Sequence, residues 1–411
     1  MMLLPAREAA DRLGVKIDTL YAYVSRGLLR SMEVAGSRER HYDADEVEHF
    51  RAGRGATRAR PPVEDLIPVI GSSICLIENH RLYYRGVDAV ELAGNATLED
   101  AAALLWEDLL PTPARPPRDH PLPLAGEGSD AAMQGNALPP PPAREGRGRV
   151  RSGRQFGSIG LCQIRLAELA ADDPGGLDLS RAGVARTGRT IMAELAACVG
   201  GGEPSPEPIH QRLAEAWELD PAGADLVRRC LVLLADHELN ASTFVARCIA
   251  STGATPYAVV SGALAALSGR RHGGASARAE ALFREIGGEA DPAAVMTARL
   301  ARGDDLPGLG QPLYPDGDPR ALAIVDALVK ARPEASRRVA AAAVAAVQLT
   351  GLYPNVDFAL GATAYTLRLP QGAALGLFLV ARSVGWIAHA IEQYESGVLI
   401  RPRARYTGKR A

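Results

Sequence analysis

The sequence has few aromatic residues and almost no excess of either charge. Phe, Trp and Tyr together make up 5% of the 411 residues, and the formal net charge is −2. Such a balanced charge gives no general attraction to nucleic acid or to an anionic membrane surface. Ala and Leu are abundant instead, which favours helices over sheets. The chain is long enough for two or more domains and a large hydrophobic core.

Cysteine is scarce, and no long apolar run is present. The odd number of cysteines argues against a disulfide framework, and their spacing is not that of metal ligands: Cys75, Cys162, Cys198, Cys230 and Cys248. The sequence therefore predicts no metal site and a reducing, cytoplasmic location. The N-terminus lacks a basic-then-apolar signal pattern, and no run of about 18 apolar residues predicts a membrane span.

The first 54 residues predict a small separate domain. Apolar stripes indicate helices at 7–13 and 18–25, and a hairpin is expected around 35–37. The acidic segment 43–46 resembles a capping box that opens a third helix. Helix–turn–helix–wing–helix in so short a segment resembles the MerR/excisionase-type DNA-binding module, which implies a winged helix-turn-helix domain.

Four arginines surround the second predicted helix and the predicted hairpin, where phosphate contacts fall in such a module: Arg26, Arg30, Arg38 and Arg40. DNA is therefore one candidate partner. However, residues 1–60 contain eleven Lys/Arg and nine Asp/Glu, a net charge of only +2. Docking onto the larger domain or onto a protein partner is the alternative. A basic linker follows at 55–62.

Residues 112–154 are rich in Pro, Gly and Arg and include four consecutive prolines at 139–142. A segment with so few apolar residues cannot bury a core, so it predicts a disordered insertion. From Phe156 onwards, Ala/Leu-rich segments predict a mostly helical fold; the clearest are 225–238, 243–252, 256–267, 337–350 and 375–394.

Six short motifs in the second half of the chain follow a characteristic order: ADHELNAST at 235–243, RHGGA at 271–275, DPR at 318–320, PNVDF at 354–358, ARSVGWIAH at 381–389 and RPR at 401–403. In this order they resemble the active site of the citrate synthase family. The resemblance implies a catalytic domain at 63–411, interrupted by the insertion, with large and small helical subdomains around a cleft. The small subdomain is expected at roughly 270–362.

This family joins the methyl carbon of acetyl-CoA to the ketone of oxaloacetate, releasing citrate and CoA. By resemblance, Asp357 is the base that removes the methyl proton, and His272 donates a hydrogen bond to the thioester oxygen. Gly273, Gly274 and Ala275 are expected to contact CoA through the backbone. The alternative for Asp357 is a structural one, capping of the helix that follows it.

Oxaloacetate carries two carboxylates, and guanidinium groups bind carboxylates in a bidentate manner. By resemblance, His237, Arg320, Arg382 and Arg401 bind this substrate. The family's equivalent of Arg401 reaches the site from the partner subunit, which implies a homodimer. Acetyl-CoA enters only as a co-substrate, so no permanently bound cofactor is expected.

Gln311 departs from the family pattern, because a histidine usually stands there and polarises the ketone of oxaloacetate. An amide still donates a hydrogen bond, but it cannot become positively charged. Loss of one such donor typically costs about 10²–10³ in rate. Three hypotheses remain: a slow citrate synthase, a 2-methylcitrate synthase that uses propionyl-CoA, and a ligand-sensing DNA-binding regulator with weakened catalysis.

Overall fold

The computed structural model describes residues 3–13, 15, 17, 20–21, 24, 29, 31–33, 40–44, 47, 70–107, 158–287, 291–403 and 407–408. The chain divides into two compact units, Met1–Gly71 and Ser72–Ala411. The predicted linker at 55–62 and the predicted insertion at 112–154 lie outside the described residues. Both remain predictions.

The described part of the first unit contains a three-stranded antiparallel sheet and a helix. The strands β1 (Leu3–Pro5), β2 (Met32–Glu33) and β3 (Arg40–Asp43) lie in the order β1-β3-β2, and α1 (Ala6–Leu13) follows β1 directly. The pairing of β2 with β3 corresponds to the predicted hairpin, whereas β1 was not predicted. The core is formed by apolar side chains that include Leu4, Ala9, Leu13, Leu20, Tyr42 and Val47.

The second unit begins with a small antiparallel sheet of β4 (Cys75–Glu78), β5 (Arg81–Tyr84) and β6 (Val87–Asp88). Its described part then continues with fourteen α-helices: α2 (Ala89–Asn95), α3 (Leu98–Trp106), α4 (Ser158–Asp172), α5 (Arg181–Gly200), α6 (Ile209–Ala216), α7 (Pro221–Leu234), α8 (Ala241–Ala250), α9 (Pro256–Leu267), α10 (Gly274–Ile286), α11 (Pro292–Ala301), α12 (Pro319–Ala331), α13 (Arg337–Thr350), α14 (Val356–Thr366) and α15 (Ala373–Ser396). A short 3-10 helix, Pro174–Leu177, lies between α4 and α5. The prediction of a mainly helical fold is confirmed.

Local capping chemistry sets where most of these helices begin. The side chain of Asp220 accepts from the backbone of Gly223, and Pro221 occupies the first helical position of α7. The predicted start of this helix at residue 225 was therefore too late. Its predicted end at 238 was also wrong, because the helix ends at Leu234, directly before the ADHELNAST motif.

Helix α15 is the central element of the second unit. It packs against α3, α5, α7, α8 and α9, and almost all of its residues are buried. Within the described residues it is the one helix long and apolar enough to cross a membrane by length and composition alone. Because 94% of its most apolar window is buried inside the fold, its apolar character is explained by its position in the core.

Two helices that carry predicted site residues lie in direct contact. Helices α10 and α14 pack so closely that a Cβ atom at Gly361 of α14 would lie 2.8 Å from the carbonyl carbon of Ala279. The N-terminal ends of both helices carry motif residues: RHGGA precedes α10, and PNVDF opens α14. The predicted bounds of the small subdomain, roughly 270–362, stay a prediction.

Candidate active site

His237 lies in the turn between α7 and α8 and is buried, with 7% of its surface exposed. Its Nε2 atom is 3.1 Å from the hydroxyl of Tyr314. Burial, helped by the positive charges of Arg320 and Arg382, holds the pKa of His237 well below its usual range. The ring is therefore a neutral hydrogen-bonding group at neutral pH, close to both arginines.

His272 precedes α10 and contacts Ser242, in the first turn of α8. The Nε2 atom of His272 is 2.8 Å from Ser242 Oγ, and the indole N–H of Trp386 donates to the same oxygen at 3.1 Å. Phe378 of α15 packs edge-on against the ring, with 5.7 Å between ring centroids. Burial, with the charge of Arg382, lowers the pKa of His272 to about 4, so this imidazole is also neutral at pH 7.

Asp357 lies in the first turn of α14, but it is not the cap of that helix. Asn355 accepts the backbone N–H groups of Asp357 and Phe358 and so performs the capping. The carboxylate of Asp357 instead accepts a hydrogen bond from the hydroxyl of Ser276, one turn into α10. Burial raises the pKa of Asp357 above its ordinary value, while Ser276 opposes that shift. The carboxyl group is thus free to act on something other than its own helix.

Arg320 is buried and forms a bidentate ion pair with Asp318, with distances of 3.0 Å from Nε and 2.7 Å from Nη2. The second carboxylate oxygen of Asp318 also accepts the backbone N–H of Val356 at 3.1 Å. Asp318 therefore connects this arginine to the first residue of the helix that carries Asp357. No role was predicted for Asp318, although it stands inside the DPR motif.

Arg382 points from α15 towards the end of α7. Its Nε donates to the carbonyl oxygen of Leu234 at 2.8 Å, and its guanidinium group lies 4.8 Å from the centre of the Phe378 ring. The Nη1 atom is buried and has no hydrogen-bond partner among the described residues. Buried nitrogen donors are normally satisfied, so this atom is a candidate contact for a ligand oxygen.

Gln311 follows a loop that is anchored to the segment before Asp357. The backbone of Gly310 donates to Tyr353, that of Asn355 donates to Gly308, and the Asn355 amide donates to Gly310, all at 2.8–2.9 Å. Gln311 itself is partly buried, and its Oε1 atom accepts weakly from the backbone of Leu313 at 3.5 Å. The loop thus fixes the position of Gln311 relative to the helix of Asp357.

The remaining predicted residues have other surroundings. A Cβ atom at Gly273 would lie 2.6 Å from the carbonyl oxygen of Leu267, so close packing against α9 accounts for this glycine. Gly274 and Ala275 form the start of α10. Arg401 is exposed, beyond the C-terminal end of α15. In the first unit, Arg40 is exposed on β3, whereas Arg26, Arg30 and Arg38 lie outside the described residues.

A buried charged cluster lies behind His237, and no role was predicted for its members. The carboxylate of Asp236 is 3.4 Å from Nε2 of His389, whose Nδ1 accepts from Nε of Arg247 at 2.9 Å. Arg247 also donates to Gln393 at 3.1 Å and pairs with Glu392. The RSVGWIAH motif contained His389, but nothing in the spacing indicated its partners. Among the described residues, no group of three or more His, Cys, Asp or Glu side chains could hold a metal ion.

The second unit thus combines a mainly helical fold with a buried carboxylate, two neutral imidazoles and two buried arginines from the predicted motifs. Comparison with known proteins shows the class to which this fold belongs. Residues 65–117 and 178–403 match the family described as citrate synthase, C-terminal domain, and residues 4–58 match the MerR HTH family of regulatory proteins.

Individual relatives point the same way. The chain is 30% identical over 352 residues to the 2-methylcitrate synthase of Mycobacterium tuberculosis, covering 80% of this chain and 86% of that protein. It is 39% identical over 193 residues to the citrate synthase of Haloferax volcanii, but that match spans only 46% of this chain and 51% of the relative.

Solved structures show the same fold. The citrate synthase of Thermotoga maritima has a TM-score of 0.62 at 26% identity, covering 86% of this chain and 96% of that one. The enzyme of Pyrobaculum aerophilum has a TM-score of 0.65 at 25% identity, covering 85% and 92%. The chain therefore belongs to the citrate synthase family, and it carries an N-terminal segment of the MerR helix-turn-helix family.

Proposed function

We propose that this protein condenses acetyl-CoA with oxaloacetate and water to give citrate and CoA. One short stretch of chain, from His272 to Ser276, carries the proposal. At one end the His272 ring contacts Ser242, and at the other end Ser276 donates to Asp357. A base and a neutral hydrogen-bond donor are therefore positioned by the same turn, as enolisation of a thioester requires.

In the first step, Asp357 removes a proton from the methyl carbon of the thioester, which is a very weak acid. Because burial raises its pKa, this carboxylate is a stronger base than an exposed aspartate. His272 donates an N–H to the thioester oxygen as the enol forms. When Ser242 donates to Nε2, the single proton of the neutral ring sits on Nδ1 and is available for that oxygen.

In the second step, the enol carbon attacks the ketone carbon of oxaloacetate, and the ketone oxygen takes a proton from water to become the hydroxyl of the product. Arg320 and Arg382 pair with the substrate carboxylates, and His237 adds a neutral hydrogen bond. The amide of Gln311 donates to the ketone oxygen. Water then cleaves the thioester, which releases CoA. The reaction needs no permanently bound cofactor.

The test is an assay for thiol release from acetyl-CoA. We expect release only when oxaloacetate is present, and loss of turnover in Asp357→Asn with oxaloacetate binding retained in a calorimetric titration. Asp326→Asn is the matched control, because this exposed aspartate only pairs with Lys330 one turn away. Background rates for the unmodified protein with both acetyl- and propionyl-CoA would show that it is not a condensing enzyme.

Propionyl-CoA is the second candidate acyl donor, and the product would then be 2-methylcitrate. It is favoured by the long match to the 2-methylcitrate synthase of Mycobacterium tuberculosis. The same assay compares kcat/KM for the two thioesters. The donor with the larger value is the natural class of substrate, since discrimination is measured by that ratio.

We further propose that the active enzyme is a homodimer in which Arg401 completes the site of the partner subunit. The exposed position of this arginine, beyond the last helix, is compatible with such a role. Asp357→Asn and Arg401→Ala should each be inactive alone. Unfolding and refolding them as a mixture should restore activity, because one of the two sites in a mixed dimer contains both residues. A mixture that stays inactive would place Arg401 in its own subunit's site, and an Arg401→Ala variant that is active alone would place this residue outside the reaction.

A regulatory function is the third candidate, and the MerR match at residues 4–58 favours it. DNA binding would use Arg26, Arg30, Arg38 and Arg40. Selection from a random duplex library with the full chain should enrich one sequence, and Arg40→Ala should weaken binding with a smaller salt dependence. If no duplex is enriched, this unit docks onto protein instead. A DNA-binding protein without thiol release would be a sensor rather than an enzyme.

A further inference from the structure

A cavity lies at the C-terminal ends of the helices that carry Ser276 and Asp357. Its volume is about 490 Å³, within the range of small-molecule sites. Its lining includes Glu280, Arg284, Tyr365, Thr366, Arg368 and Gln371. Arg284 is eight residues beyond Ser276 on α10, which is about 12 Å along a helix axis. The cavity is therefore separate from the candidate active site.

The charges around this cavity are not balanced. Among the described residues, Arg284 and Arg368 have no ion-pair partner, although most other arginines of this unit do. Glu280 is the one acidic residue of the lining, and its carboxylate is already used. It accepts the backbone N–H groups of Gly372 at 2.9 Å and Ala374 at 3.2 Å, at the start of α15. Two guanidinium groups thus remain available to a ligand.

A third group points to a ligand independently of these charges. Thr366 lines the cavity and is only 7% exposed, and its hydroxyl has no hydrogen-bond partner in the part of the chain that the structure describes. A buried hydroxyl normally has a partner, because leaving it unsatisfied costs about 1–3 kcal/mol. A buried unpaired donor beside two unpaired cations is the combination that a small anion satisfies.

We propose that this cavity binds a phosphate group, either as free phosphate or as a small phosphate monoester. Guanidinium groups bind phosphate oxygens in a bidentate manner, and the doubly charged form gains from two of them at once. The net charge of the lining, two arginines against the one glutamate, favours a dianion over a neutral ligand.

The test measures the melting temperature of the full chain at constant ionic strength, with sodium chloride replaced by inorganic phosphate or by glycerol 3-phosphate. We expect phosphate to raise the melting temperature. The titration midpoint, which is the phosphate concentration that gives half of this increase, should rise on the order of tenfold or more in the double variant Arg284→Gln/Arg368→Gln. Because these side chains are exposed and unpaired, the variant should fold normally without ligand. Arg186→Gln, which removes an exposed arginine from α5, is the matched control.

The two ligands distinguish the source of the phosphate group. A lower midpoint for glycerol 3-phosphate indicates an organic monoester, and a lower midpoint for inorganic phosphate indicates the free ion. An unchanged midpoint in the double variant would mean that phosphate binds elsewhere, for example at the position of CoA. That outcome would overturn the proposal. No stabilisation of the unmodified protein by either ligand would overturn it as well. Because no turnover is measured, these outcomes are independent of the proposed condensation reaction.

Discussion

A glutamine and a histidine offer different support to a ketone oxygen that is becoming an alkoxide. Both donate a hydrogen bond, but an imidazole can also transfer a proton or become charged as negative charge develops. The loop at Gly310 holds Gln311 beside the segment that carries Asp357, through hydrogen bonds to Tyr353 and Asn355. These hydrogen bonds fix the backbone at residue 311, so the support that this residue gives to a ketone oxygen depends on its side chain.

Gln311→His should increase the rate of condensation. The new donor strengthens its contact as charge develops on the oxygen, so we expect kcat to rise on the order of tenfold to several hundredfold, with little change in KM. Steady-state kinetics with oxaloacetate varied will measure this. Gln348→His, on an exposed face of α13, is the control. An unchanged kcat in the folded variant would mean that residue 311 does not contact the ketone.

The hydroxyl of Ser276 should tune the base. Its hydrogen bond lowers the pKa of Asp357 against the effect of burial, so Ser276→Ala should raise that pKa further. Because the base must be deprotonated, the acidic limb of kcat/KM should move to higher pH. A pH profile of kcat/KM will measure the shift. In Ser268→Ala, which removes only a contact to the carbonyl of Ala265, the limb should stay in place. If the acidic limb of kcat/KM does not move in Ser276→Ala, a group other than Asp357 is responsible for it.

At the scale of elements, the tight turn at Gly308 holds two segments together. This residue has φ +84°, and a Cβ atom there would lie 2.7 Å from the backbone nitrogen of Phe358. Gly303 has nearly the same φ, +83°, but open space around it. Comparing an alanine substitution at Gly303 with one at Gly308 therefore separates the cost of the left-handed backbone from the cost of the close contact.

Gly308→Ala should lower both stability and activity, because the added methyl group pushes against the start of the helix that carries Asp357. We expect Gly303→Ala to cost about 1 kcal/mol from the left-handed backbone alone, and Gly308→Ala to cost about 2–3 kcal/mol. Only the second should also reduce kcat. Denaturant unfolding and thiol-release kinetics measure the two effects. Equal costs for both variants would mean that the turn does not support the site.

The bounds of some helices could be predicted from the sequence, whereas the start of α7 was missed although Asp220 and Pro221 mark it. The bounds of Pro256–Leu267 and Arg337–Thr350 agree with those predicted. By contrast, the contact of Ser276 with Asp357 joins residues 81 positions apart, and that of Asp318 with Val356 joins residues 38 apart. Motif order identifies which residues belong to a site, but only the packing of α10 on α14 determines which hydroxyl meets which carboxylate.

At the scale of the whole molecule, buried histidines make stability depend on pH. Burial lowers the pKa of His210, His237, His272 and His389, that of His272 to about 4. The unfolded chain takes up protons near pH 6.5 at these positions, while the folded chain does not. Stability is therefore lost as pH falls below about 6.5. Burial raises the pKa values of Asp357 and Glu238, so these two groups oppose the effect of the four histidines.

We expect the melting temperature of the full chain to be lower at pH 5.5 than at pH 7.5. His210 lies on α6, away from the candidate site, and His210→Gln should reduce the difference by removing one of the four groups. Gln211→Ala, which removes no titratable group from the same helix, should leave it unchanged. Scanning calorimetry at several pH values will measure this. A melting temperature that does not fall at pH 5.5 would show that other groups dominate the titration.

The domain organisation could be predicted only in outline. The family match skips residues 118–177, which include most of the predicted insertion and also the helix Ser158–Asp172. That helix carries the buried Cys162 and Leu166, so an element outside the matched ranges still contributes to the core. The charged cluster that includes Asp236 and Glu392 was missed because its members come from the turn after α7, from α8 and from α15. Charge pairing across a core leaves no pattern in sequence.

The indole of Trp386 shares the hydroxyl of Ser242 with His272, and it is fully buried. The emission of an indole depends on the hydrogen bonding and polarity around it. The candidate site therefore contains its own optical reporter, which is connected to His272 through the hydroxyl of Ser242. With the other two tryptophans, Trp106 and Trp217, replaced by phenylalanine, fluorescence would follow the arrival of each substrate without a label and without turnover.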